Sequence, residues 1–320
     1  EIFDDRFFSQ SPGSVIAVVW IGSLLTVALP ATAMGATLPL IGNGARALGA
    51  PLSRLYGLNT LGAAGGAGAA SFLLIPSLGV TGASHAIAAA NLAIGALALF
   101  MLGTGAAEAD LPNAALESAS PRPVLPLSAA VAIAAATGWA TFTLEIAWFR
   151  AMISAFKATS DAFAVLLATV LLALGAAAAL VPRFRRARWT VDRFLAAAGV
   201  AVLLCTPVVE RFDLLTGGRD EQPLRLIARW FGLAAFSIGP PVFLLGVALP
   251  WLLDERKNAR EWGLVYGVNT LAAVAGALGG GWLLLPQLGV ARTAWLAAAG
   301  VLGVALWRAP AAQRARIVLA

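Results

Sequence analysis

Two ionisable side chains and two amides lie within apolar runs of the sequence, and they are the residues best suited to bind a ligand or to transfer a proton. The ionisable pair is Glu145 and Arg150, in the segment TLEIAWFR. A carboxylate in a run of membrane-spanning length is costly unless paired or hydrated, and such acids commonly mark proton or cation pathways. Glu145 is therefore the strongest functional candidate, as a carboxyl group that could alternate between a proton and a bound amine. The alternatives are that Glu145 reaches the membrane interface, or that it pairs with Arg150, about 140° away around a helix.

The amides are Asn59 and Asn269, which occupy matching positions in two similar segments and are each followed by a threonine. Their duplication favours a structural role, in which the amides form hydrogen bonds between helices. The alternative is that they line a central cavity. Glycines spaced four residues apart follow both amides and predict close helix packing. These glycines are Gly62, Gly66, Gly276 and Gly280.

The residues needed for catalysis or metal binding are scarce. The chain has one histidine and one cysteine, Cys205, which excludes a multi-histidine metal or haem site built from this chain alone. No Ser/His/Asp set and no carboxylate pair at catalytic spacing stands out. The sequence therefore predicts no catalytic residue, no metal site and no cofactor.

The composition is that of an integral membrane protein. Hydrophobic residues make up 60% of the chain and charged residues 12%, about half the share typical of soluble domains. Apolar stretches of about 20 residues, enough to cross a bilayer as a helix, occur repeatedly. We therefore expect an all-α polytopic transmembrane bundle. The net charge of +6 is explained by loop arginines, so no nucleic-acid partner is predicted.

Hydropathy predicts about nine crossings and one obvious linker. The crossings fall near residues 14–41, 55–76, 80–102, 126–149, 161–182, 194–209, 230–253, 263–286 and 289–307. Pro30 and Pro39 should kink or break the first of these. The predicted organisation is three spans within 1–102, a linker at 103–125, six spans within 126–308 and a tail at 309–320.

The distribution of basic residues predicts that the C-terminus is cytoplasmic, in an inner (cytoplasmic) membrane. That orientation places 14 of the 22 basic residues on the cytoplasmic side. Four arginines in one of these loops could also hold anionic lipid headgroups. They are Arg183, Arg185, Arg186 and Arg188.

An internal repeat links the two halves of the chain. Residues 55–80 and 265–290 share 14 of 26 positions without a gap. The first three predicted spans match the last three, so the repeat unit has six spans and both copies have the same orientation. Such a parallel repeat occurs in major-facilitator proteins. We therefore predict a truncated twelve-span architecture, from which the first three spans of the first copy are absent.

The recurring motifs also resemble a known family. The pattern P-x3-MG-A-x-LP, followed by LYxLNTLGAAxG and LLxPxLGV, is similar to the membrane region of spermidine synthase-like membrane proteins, and TLEIAWFR resembles that family's E-x2-W-x-R element. The resemblance implies a major-facilitator-like membrane region, often followed by a cytoplasmic aminopropyltransferase-like domain. The residues after the ninth span show no sign of that domain, because no strand and Gly-rich turn follow.

Three functions are compatible with these features. The chain could be a non-catalytic scaffold or accessory subunit of a larger membrane complex, partnered by the bilayer and by other membrane subunits. It could instead carry a polyamine or other small cation past Glu145. The third alternative is a membrane anchor for an aminopropyltransferase-like domain located elsewhere.

Overall fold

The computed structural model describes residues 12–47, 51–103, 124–156, 160–215, 223–256 and 258–308. Within these ranges the chain is helical apart from short turns and contains no strand, which confirms the all-α prediction. By internal contacts it divides into two compact units, Glu1–Leu48 and Gly49–Ala320. The predicted tail and nearly all of the predicted linker lie outside the described residues, so those boundaries stay predictions.

The described part of the first unit is a single helix, α1 (Pro12–Ala47), which runs without interruption past Pro30 and Pro39. Of the two predicted effects, a kink or a break, the break does not occur. A proline removes one backbone hydrogen bond and crowds the preceding turn, but neighbouring turns can hold a membrane helix together around it.

The second unit contains eleven helices within the described ranges. Their bounds are α2 (Leu52–Ala69), α3 (Ile75–Gly103), α4 (Leu127–Phe156), α5 (Ser160–Arg186), α6 (Val191–Val209), α7 (Phe212–Leu215), α8 (Pro223–Ser237), α9 (Gly239–Gly246), α10 (Ala248–Glu255), α11 (Ala259–Gly279) and α12 (Leu285–Arg308). Two π-helical turns, Ala70–Leu74 and Gly280–Leu284, join α2 to α3 and α11 to α12.

The two π-helical turns stand at the same place in each copy of the repeat, and a proline explains both. Pro76 and Pro286 follow them by two residues. A proline ring would press on the carbonyl one turn earlier. Here the preceding residue pairs five residues back instead, Ile75 N–H with Ala70 O and Leu285 N–H with Gly280 O, which widens the turn.

A glycine in each copy then interrupts the helix. Gly79 has φ 70° and ψ 173°, and Gly289 has φ 73° and ψ −179°. This left-handed φ is readily available only to glycine. The predicted boundaries between spans, at about 76–80 and 286–289, fall at these two breaks.

The second copy also contains a break at Pro240 and Pro241, in the segment that matches Pro30 and Pro39 of α1. Helix α8 ends at Ser237, α9 starts with Gly239 followed by two prolines, and α10 begins after Val247. The two parts Arg225–Ser237 and Gly239–Glu255 meet at a bend of 50°. Two adjacent prolines at the start of α9 cannot donate backbone hydrogen bonds to α8, which separates the two helices.

Helix α4 is the centre of the second unit. It packs against α11 and α12, while α12 also packs on α6, α2 packs on α5, and α9 contacts both α5 and α6. The largest fully buried side chains include Trp148 and Ile133 on α4 and Phe194 on α6. Small alanines fill the remaining contacts of α4, which lets neighbouring backbones approach closely.

Six helical segments of the described chain are long and apolar enough to cross a membrane, or seven if the bent α8–α10 pair forms one span. The two longest, Leu52–Met101 and Arg260–Arg308, contain 50 and 49 residues. A straight helix of that length would extend about 75 Å, more than twice the hydrocarbon thickness of about 30 Å. Each of them contains one of the glycine breaks described above.

Candidate functional site

Polar side chains from distant parts of the chain meet at one end of the second unit, which we call the polar end. The Ser53 amide, at the start of α2, donates to Asp254 Oδ1 on α10 at 3.0 Å. Arg256, after α10, donates from a terminal nitrogen to Leu125 O at 2.6 Å, just before α4. The Arg256 side chain is 3% exposed, and its second terminal nitrogen lies 3.3 Å from Glu261. These bonds connect the starts of α2 and α4 to the end of α10.

Two further ion pairs belong to the polar end. Arg185 lies 3.8 Å from Glu255, and Arg308 Nε donates to Asp192 Oδ1 at 2.6 Å. The polar end therefore joins the starts of α2, α4 and α6 to the ends of α5, α10 and α12. Asp254 and Arg256 do not stand out in the sequence, because Ser53 and Leu125, to which they bond, are more than 100 positions away along the chain.

A cleft of about 740 Å³ opens at the polar end. The polar-end cleft combines charged groups with apolar walls, and Arg185 lies 5.3 Å from the centre of the Trp251 ring in a cation–π contact. Its lining residues are Val124, Leu125, Pro126, Arg185, Arg188, Trp189, Thr190, Val191, Asp192, Trp251 and Glu255. Of the four arginines predicted to hold lipid headgroups, Arg185 and Arg188 line this cleft, whereas Arg183 and Arg186 are not among its lining residues.

Arg188 occupies an unusual backbone position at the end of α5. Its φ of 59° is the one left-handed value at a non-glycine residue in the described chain. The Trp189 amide donates to Phe184 O and the Arg188 amide to Arg185 O, both at 3.1 Å, which forms a Schellman motif. Glycine is the usual residue there, and a side chain with a Cβ costs about 1–2 kcal/mol. The local backbone therefore does not explain why an arginine stands at this position.

The predicted packing face of amide and glycine residues is tightly packed in the second copy, where it consists of Asn269 and Gly276 on α11 and of Gly280 directly after it. Asn269 donates from Nδ2 to Ala134 O on α4 at 2.9 Å, within the bundle. A Cβ added to Gly276 would lie 2.3 Å from Trp139 O, and Gly280 faces Thr143. Thr143 also donates to Gly276 O at 3.1 Å. Helix α11 thus uses its amide and glycines to contact the backbone of α4.

The same face of the first copy is bare. Asn59 is exposed and has no hydrogen-bond partner among the described residues, and a Cβ added to Gly62 or Gly66 would meet nothing within 4 Å. The equivalent helices α3 and α12 differ in burial in the same way. Ala294, Ala297 and Val301 of α12 are buried, whereas their counterparts Ser84, Ile87 and Asn91 of α3 are exposed.

A second pair of equivalent glycines shows the reverse pattern. A Cβ on Gly57 of α2 would lie 2.8 Å from Ala179 N and 3.0 Å from Gly175 O on α5. Its counterpart Gly267 on α11 would meet nothing within 4 Å. The two copies are thus packed on opposite faces: α2 on the face of Gly57, α11 on the face of Gly276. Gly57 and Gly267 could have been recognised from the sequence, since both stand in the Y-G-x-N-T segment that recurs in the two copies.

Glu145 and Arg150 are not brought together. No ion pair joins them in the described chain, and Glu145 is partly buried on α4 with no hydrogen-bond partner among the described residues. Its neighbour one turn later, Phe149, packs edge-on against Phe163 of α5 at 5.3 Å. Arg150 instead lines a depression with Glu210, near the end of the molecule opposite the polar end.

The described residues contain no group of three or more histidine, cysteine or acidic side chains that could hold a metal ion. The fold and these sites define a helical membrane protein with several candidate spans. No protein-family model matches the chain, and no curated protein or solved structure matches it. The similarity to spermidine synthase-like membrane proteins therefore stays a prediction from the motifs.

Proposed function

We propose that the chain is a non-catalytic scaffold or accessory subunit of a larger membrane assembly, whose bare helix faces receive helices of a separate membrane subunit. The observation that carries this proposal is the difference between equivalent faces of the two copies. Gly276 and Asn269 contact α4, whereas a Cβ on Gly66 would meet nothing within 4 Å and Asn59 is exposed, with no hydrogen-bond partner among the described residues.

Exposure to lipid is ordinary for leucine or isoleucine, so apolar side chains alone would not support a protein partner. Amides are different, because hydrocarbon offers them no hydrogen bonds. Asn59 and Asn91 lie on helices of spanning length and have no bonding partner among the described residues. Faces built of glycine likewise suit a neighbouring backbone better than flexible lipid chains.

The repeat indicates what the missing neighbours resemble. In this proposal the chain crosses the membrane nine times, because Gly79 and Gly289 each divide a long helical segment into two crossings. The last six crossings form a complete unit, and the first three match its second half. A helix equivalent to α4 would then contact Asn59 and Gly66, and one equivalent to α5 would contact Gly267. The parallel, major-facilitator-like arrangement and the cytoplasmic position of the polar end belong to the same proposal.

Native mass spectrometry of the protein extracted in mild detergent tests the proposal. We expect a complex whose mass exceeds that of this chain by at least one other membrane polypeptide. Gly66→Leu should reduce recovery of that polypeptide at least tenfold, because a leucine would separate two helices that otherwise touch. The control is Gly232→Leu on α8, where a Cβ would also meet nothing within 4 Å.

Three results would contradict the proposal. They are a chain that is recovered alone, a partner retained by Gly66→Leu, and a longer polypeptide that supplies the matching helices itself.

Transport is the alternative function, because Glu145 has no partner in the described chain. Amine uptake into proteoliposomes that contain the purified chain alone, abolished by Glu145→Gln, would support transport in place of the scaffold role.

A further inference from the structure

We propose that the polar-end cleft binds an anionic amphiphile, with a phosphate-type headgroup held by Arg188 and Arg185 and an apolar chain held against the tryptophans. This binding site is independent of the bare helix faces. It follows from the charges that the cleft leaves unpaired, from its apolar walls and from the backbone at Arg188.

The acidic groups of the cleft already have donors, so they do not favour a cationic ligand. Glu255 accepts from Trp251 Nε1 at 2.9 Å and faces Arg185 at 3.8 Å. Asp192 accepts from Arg308 Nε at 2.6 Å. The Arg188 guanidinium, by contrast, has no acidic or hydrogen-bonding partner among the described residues. The cleft is lined by two arginines and two acids, and Arg308 beside it is bonded to one of those acids, so the charge of Arg188 is left without a counter-charge.

Oxyanions are the ligands that such an unpaired charge selects. A guanidinium can donate two parallel hydrogen bonds to a phosphate or carboxylate. Arg185, in the last turn of α5, and Arg188, just beyond its end, both line the cleft, so they can approach the same headgroup. Exposed Arg183 and Arg186 add to the attraction from outside the cleft.

The walls of the cleft indicate that the ligand has an apolar part. Trp189, Trp251 and Val191 line it beside the arginines. Tryptophan is typical of the boundary between hydrocarbon and headgroups, and the polar end of a bundle of spanning helices lies at that boundary. A membrane lipid satisfies both requirements, since its headgroup and its chain enter such a cleft together.

The backbone at Arg188 provides an independent argument. Its left-handed φ of 59° would be adopted without strain by glycine. Strain at a single residue is a common feature of binding sites, where the side chain is retained for its contacts. Arg188→Gly should therefore weaken binding and raise thermal stability together. A purely structural arginine would not show this combination.

Intrinsic tryptophan fluorescence of the purified full-length chain in detergent can measure binding, since Trp189 and Trp251 line the cleft. The probes are phosphatidylglycerol, phosphatidylcholine and inorganic phosphate. We expect saturable binding of phosphatidylglycerol that Arg188→Gly and Arg188→Gln each weaken about fivefold. Arg188→Gly alone should raise Tm, by about 2–4 °C, because glutamine keeps the strained backbone. Arg292→Gln, an exposed arginine beyond Gly289, is the control of equal charge change.

The outcomes separate cleanly. Equal binding of phosphatidylcholine would overturn the role of the arginines, and equally tight binding of inorganic phosphate would overturn the role of the apolar walls. Unchanged phosphatidylglycerol affinity in both Arg188 variants would overturn the site itself. Loss of affinity in Arg292→Gln to the same extent would show a general charge effect and would also contradict the proposal.

Discussion

Gly276→Ala is expected to destabilise the isolated chain, whereas the same substitution at the equivalent Gly66 is not. The added methyl group would lie 2.3 Å from Trp139 O, a distance that forces the α4 and α11 backbones apart. Overpacking of this kind costs about 1–3 kcal/mol. At Gly66 nothing lies within 4 Å, and alanine is the better helix former by about 1 kcal/mol.

The comparison needs only thermal unfolding of the two variants in detergent, followed by size-exclusion chromatography. Because both substitutions exchange glycine for alanine at matching positions of a repeat, their intrinsic helix propensities cancel and the difference in Tm reports the packing. Equal Tm values for Gly276→Ala and Gly66→Ala would contradict the described contact between α4 and α11.

The second large effect is expected at Gly57, with the order of the two copies reversed. Gly57→Ala should lower the stability of the chain by about 1–3 kcal/mol, because its Cβ would lie 2.8 Å from Ala179 N on α5. Gly267→Ala, the equivalent change in the second copy, should leave stability unchanged or slightly higher. Cellular expression of fluorescent fusions and detergent Tm values would both report the difference.

An assembled complex should behave differently from the isolated chain. If a separate subunit covers the bare faces, Gly66 and Gly267 become packed positions within the complex, and alanine there should lower its dissociation temperature. Sensitivity of Gly267→Ala in the isolated chain, with Gly57→Ala tolerated, would show that the contacts of α2 and α11 are assigned to the wrong faces.

The positions of the two helix breaks could be predicted from the sequence because their markers are local. The backbone is left-handed at positions 79 and 289, and glycine occupies both. Pro76 and Pro286 explain the π-helical turns that precede them. Pro30 and Pro39 show the limit of such markers. The same residue type interrupts the helix at Pro240 and Pro241 but not in α1, since the outcome depends on whether neighbouring turns stay paired.

The sites were harder to predict because they depend on distant partners. A glycine's sequence context shows that close packing is allowed, but not whether a neighbour is present, so Gly66 and Gly276 looked alike. The polar end joins Ser53 to Asp254 and Leu125 to Arg256, pairs that no local pattern connects. Arg188 lay within a predicted lipid-binding cluster, yet its backbone strain is visible only in the structure.

The parallel orientation of the two copies is the central claim, and cysteine labelling tests it most directly. In a Cys205→Ser background, Thr81→Cys and Ala291→Cys would follow the two glycine breaks at equivalent positions, and Asn258→Cys would report the polar end. We expect an impermeant maleimide to label the first two in intact cells, and Asn258→Cys only after permeabilisation. Labelling of Thr81→Cys and Ala291→Cys from opposite sides of the membrane would contradict the parallel repeat.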